Sequence, residues 1–120
     1  MSQQREHLRH YETLRADAYR EENSDELRVE ALFLAAYHLI EACAAKVGIH
    51  INKHQKVRDE LEANVGIFGE ETAKVWSTFH ELENRVRPGF VYGASQSKAG
   101  FRRAVQLFES IEALCKGVLK

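Results

Sequence analysis

Leu32-Phe33-Leu34-Ala35-Ala36-Tyr37-His38-Leu39-Ile40-Glu41-Ala42-Cys43-Ala44-Ala45 is apolar at nearly every position. At the 3.6-residue period of a helix, such a stretch has no broad polar face. A helix of this kind is enclosed by other helices, and its alanines let those neighbours approach closely. Asn23-Ser24 supplies an N-cap upstream, with Asp25 and Glu26 in the first turn where the helix dipole favours acids. Gly48 stops the helix after Val47. The stretch therefore predicts the central helix of a bundle.

The flanking sequence supplies its neighbours. Leu8, Tyr11, Leu14 and Ala18 recur at three- and four-residue steps and predict an amphipathic first helix. Ile51-Asn52 opens a shorter helix carrying Val57, Leu61 and Val65, ended by Gly66. From Gly69-Glu70 a third long helix carries Ala73, Trp76, Phe79 or His80, Leu82 and Val86, and Pro88 ends it. Gly89 to Gly100 reads as a loop. A last helix carries Phe101, Ala104, Val105, Phe108, Ile111, Leu114 and Cys115. The expectation is an all-α, antiparallel up-and-down four-helix bundle with one short extra helix, in a single domain over residues 1–120. So apolar a second helix in so small a bundle also predicts a homodimer.

Charge narrows the partners. A formal net charge of -1 gives no global attraction to nucleic acid, so any polyanion site must be a local basic patch. The polar N-terminus has no apolar leader segment, and the run Ala31 to Tyr37 is too short to cross a bilayer. Cys43 and Cys115 lie in no metal- or redox-type spacing and read as buried thiols. The expected compartment is the cytoplasm, with no membrane partner.

The most informative local feature is Glu83-Asn84-Arg85-Val86-Arg87-Pro88-Gly89-Phe90-Val91-Tyr92-Gly93. Two guanidiniums beside a sharp break offer donors shaped for phosphate. Arg85 and Arg87, two positions apart, would project about 200° apart on an ideal helix, so one faces the interior or a partner while the other meets solvent. One arginine clamps a phosphate while Tyr92 donates to it or stacks on a base; alternatively, the cations serve the C-terminal helix dipole and Tyr92 plugs the loop. Lys98, Arg102 and Arg103 begin the last helix, where the helix N-terminus also attracts anions and Ser95 and Ser97 add donors. One loop joins them to Arg87, which predicts a single electropositive groove. Lys53, His54 and Lys56 form another small basic cluster.

The order of these pieces resembles the HEPN family, in particular its small stand-alone prokaryotic members. The resemblance runs over roughly residues 5–117. It rests on Leu34–Ala42, on Gly48-Ile49-His50-Ile51-Asn52-Lys53-His54, and on Phe79–Arg85 running on to Tyr92-Gly93. The family signature is an arginine and a histidine separated by four to six residues; here Tyr92 stands at the histidine position relative to Arg87 and Arg85. The resemblance implies a homodimeric nucleotide- or RNA-binding protein and a metal-independent ribonuclease site at Arg85, Arg87 and Tyr92. It also implies that His54 lies near the arginine turn, and that a small nucleotidyltransferase is the partner in a toxin–antitoxin pair. Tyrosine, with an unperturbed pKa near 10, is a poor base at neutral pH, so the activity is expected to be weak or absent. The alternative is a dimeric helical interaction module without catalysis.

Six histidines raise the question of metal. His7 and His10, and His50 and His54, have spacings that share a helix face. His38-x-x-Glu41 and His80-x-x-Glu83 reverse the order used by di-iron bundles, and no full set of inward carboxylates is visible. His38 reads as a core histidine satisfied by Glu41 or a carbonyl. The sequence predicts no metal and no cofactor.

Overall fold

The computed structural model describes residues 2–91 and 98–120, and among them no strand occurs. Six α-helices follow in order: α1 Ser2–Ala18, α2 Asp25–Lys46, α3 Val57–Ala63, α4 Thr72–Glu81, α5 Arg87–Val91 and α6 Lys98–Leu119. Single 3₁₀ turns at His54–Lys56 and Gly69–Glu71 lead into α3 and α4, and a π-helical segment, Leu82–Val86, joins α4 to α5.

α2 occupies the centre, as its composition predicts. Ser24 caps it by accepting from the Leu27 amide at 3.1 Å. At the other end, Ile49 N–H reaches the Ala44 carbonyl and Gly48 N–H that of Ala45, with Gly48 at φ +79°. This is the Schellman closure, which needs the left-handed conformation that glycine adopts without strain. α1 lies along α2, and α6, α5 and α4 pack on its remaining sides. Val29, Leu32, Phe33, Leu39, Ile40 and Cys43 are completely or almost completely buried within this one chain. The apolar faces of α2 thus do not require a second subunit to cover them. Cys43 and Cys115 are buried free thiols facing one another across α2 and α6.

The structure departs from the sequence expectations at four places. The short helix starts after Ile51, which is buried in an extended segment whose carbonyl accepts from the Tyr37 hydroxyl at 3.1 Å. α3 ends before Val65, and that side chain is exposed. In the first turns of α4 the inward positions are Thr72 and Val75, while Ala73 faces solvent and Trp76 is half-buried; Phe79 and Leu82 are buried as expected.

The fourth departure is at Pro88, which does not end the helix. A proline inside a helix lacks an N–H and crowds the carbonyl four residues back, here that of Asn84. The π turn accommodates both problems, with the Arg87 amide reaching Leu82, and a new helical turn begins at Arg87. Pro88 then sits in the first turn of α5, directly after that wider π-type bond. Gly89, Phe90 and Val91 are helical, as are Lys98 to Gly100, so the expected loop is shorter at both ends. Phe90 joins the core.

Candidate functional site

Phe33 on α2 organises the region around the arginine turn. Its ring stacks on Phe79 of α4, with centroids 5.3 Å apart. The Arg87 guanidinium lies over it, 4.5 Å from the centroid, and binds Glu30 with both arms: Nε to Oε1 at 2.7 Å and Nη2 to Oε2 at 3.3 Å. Arg87 therefore combines a bidentate ion pair with a cation–π contact. His54 meets the same ring edge-on at 5.1 Å, and its Nδ1 is hydrogen-bonded to the Glu83 carboxylate. The lysine–histidine element and the arginine turn are thus adjacent.

Between the 3₁₀ turn with α3 on one side and α4 with the π turn on the other lies a cleft of about 280 Å³. His54, Arg58, Trp76, His80, Glu83 and Asn84 are among its lining residues. The Arg58 guanidinium sits 4.0 Å above the Trp76 ring, and Asn84 Nδ2 lies 3.0 Å from His80 Nδ1. The hollow combines a flat aromatic–guanidinium surface, an imidazole oriented by a carboxylate, and an amide. These groups suit a ligand with a flat ring and oxygen acceptors.

The cations expected to form one groove are mostly paired. Arg103 donates to both oxygens of Glu81, at 2.7 and 2.9 Å, and these bonds hold the Glu81 carboxyl below its ordinary range. Lys98 Nζ lies 3.7 Å from Asp25. Arg85, Arg102 and Lys53 are exposed and form no ion pair among the described residues. Arg85 and Arg87 do face different surroundings, solvent for one and the α2 surface for the other. Tyr92, Ser95 and Ser97 lie outside the described residues.

Glu30, Arg58, Glu81 and Glu83 are the site residues that sequence reasoning missed. Glu30 is 57 positions from Arg87, and no spacing rule links them. Arg58 and Trp76 meet only because α3 folds back on α4. On the other side of Tyr37, whose ring is 5.7 Å from His38 and 6.0 Å from His54, a second cluster joins His7, His38 and Glu41. Glu41 is an inward, buried carboxylate beside His38. Comparison with protein-family models, with curated proteins and with solved structures finds no match to this chain.

Proposed function

We propose that this chain is a HEPN-like nucleotide- or RNA-binding protein that takes its ligand in the cleft between His54 and Trp76. The cleft carries the proposal, because it gathers a stacking surface, an oriented imidazole and hydrogen-bond donors beside the solvent-facing Arg85. In this reading α1, α2, α4 with α5, and α6 are the four helices of an up-and-down bundle, and α3 is the extra helix that walls the cleft. Trp76 and Arg58 hold the base. The exposed Arg85, Arg102 and Lys53 attract phosphate. Arg87 anchors the turn to α2 through Glu30. With tyrosine at residue 92, the protein binds RNA without cleaving it efficiently. Its setting is the cytoplasm, as a homodimer partnered by a small nucleotidyltransferase.

Thermal unfolding in the presence of mononucleotides and short single-stranded RNA tests the reading. A ligand at about 100 times its Kd adds about 2.7 kcal/mol of stability, enough for a clear rise in Tm. A second reading is favoured by the Arg87–Glu30 and Arg103–Glu81 pairs, in which the cations already have carboxylate partners. It makes the chain an interaction module whose arginine turn only joins helices. No thermal shift with any nucleotide or RNA would select that module.

A further inference from the structure

His7 projects from α1, and His38 and Glu41 project from one face of α2. Three ligand-type atoms converge there. His7 Nδ1 is 3.0 Å from His38 Nδ1, and Glu41 Oε1 is 3.3 Å from the first and 3.4 Å from the second. This is a nearly equilateral triangle. A tetrahedral Zn2+ ion with bonds of about 2.0–2.1 Å separates its ligand atoms by about 3.3 Å. The edges of the triangle match the edges of that tetrahedron, leaving one corner open.

A bland explanation is a core histidine pair that merely hydrogen-bonds. It leaves one atom without a role. Glu41 is 5% exposed, and its Oε1 is buried with no hydrogen-bond partner among the described residues. Burying an acceptor unpaired costs about 1–3 kcal/mol, and native structures rarely tolerate it. A proton held between the two Nδ1 atoms leaves Oε1, 3.3 and 3.4 Å from them, at most a share of one N–H. A cation at the centre satisfies all three atoms at once.

The surroundings fit a ligand set. The His10 ring stacks on His38 at 5.0 Å and fixes its plane. Two imidazoles and one carboxylate are the donors of borderline divalent ions, and the open corner is the arrangement of a site that takes water or a ligand.

We infer that His7, His38 and Glu41 form a divalent transition-metal site between α1 and α2, with Zn2+ the best-fitting ion. The inference is independent of the nucleotide reading, which uses different residues.

The test uses the full chain, stripped with chelator, dialysed, and titrated with Co2+ as a spectroscopic stand-in. The expected result is the intense visible absorption of tetrahedral Co2+, saturating at one ion per chain and lost on adding Zn2+. Glu41→Gln and His38→Gln should each weaken binding by more than the roughly 10–100-fold that losing an outer-shell partner costs. The exposed His80 on α4 provides the control, and His80→Gln should leave the metal affinity unchanged. Should either α2 variant fail to fold, His7→Gln on the more accessible α1 makes the same comparison. Absence of the tetrahedral band in the wild-type chain overturns the inference. So does a band that survives His7→Gln, which would mean adventitious binding by surface histidines only.

Discussion

Arg87 and Glu30 are joined by two hydrogen bonds across the gap between α5 and α2, with the guanidinium resting on the Phe33 ring. Both side chains are partly buried, so the pair lies between the weak surface bridge and the costly interior one. Glu30→Ala should therefore destabilise the fold by about 1–2 kcal/mol, measured by denaturant unfolding. Glu30→Gln also separates two roles for Arg87. If Arg87 is an anchor, RNA affinity does not rise in this variant. A clear gain would mean that Glu30 competes with phosphate for the guanidinium, and that Arg87 belongs to the binding surface.

Phe33 supports the whole corner. Phe33→Ala removes a fully buried ring and should cost about 3–5 kcal/mol. Phe33→Leu keeps most of the volume and should cost about 1 kcal/mol. It nevertheless removes the surface under Arg87 and the ring edge against His54. The leucine variant should stay folded yet bind nucleotide more weakly; equal binding would show that the Phe33 contacts do not position the cleft.

Glu112 gives the fold an acid-sensitive point. It accepts from the Tyr11 hydroxyl and from Arg15 Nε at 2.6 Å. Burial alone would raise its carboxyl, but these two hydrogen bonds outweigh that effect and hold it below the ordinary value of about 4.5. The folded-state value is thus lower than the unfolded one. The contribution to stability is complete above about pH 4.5 and is lost as pH falls through the folded-state value. Glu112→Gln should flatten the acid limb of the stability curve. Tyr11→Phe should cost about 1.5–3 kcal/mol at neutral pH, as loss of a hydrogen bond to a charged group does. An acid limb unchanged in Glu112→Gln would remove Glu112 from that account.

RNA cleavage in EDTA addresses the residue at the signature position. The wild-type chain should leave a short RNA essentially intact, and Tyr92→His should gain cleavage that Arg85→Ala then reduces. Efficient cleavage by the wild type would show that another group supplies the base, and His54, held by Glu83, would be the first to replace.

The central helix was legible in the sequence because its cues are local: an N-cap serine, a C-terminal glycine and an unbroken apolar run. The same holds for α1 and α6, whose inward residues follow the helical period. Pro88 misled because local chemistry says that proline ends a helix, whereas a π turn several residues earlier lets the chain continue. The site was legible only in part. Arg85 and His54 stood out by type and spacing, but their surroundings depend on Glu30, Arg58 and Glu83, which meet them through tertiary packing. His7 and His38 are 31 residues apart, and only the packing of α1 on α2 brings their nitrogens together.

Trp76 is the sole tryptophan of the chain and lines the proposed cleft, so its fluorescence reports directly on occupancy. Titration with a short single-stranded RNA, at low salt, is the decisive measurement. The account predicts saturable quenching in the wild-type protein, weakened several-fold in Arg58→Ala and in Arg85→Glu. Fluorescence that does not change with RNA, or quenching that both variants retain in full, would contradict it.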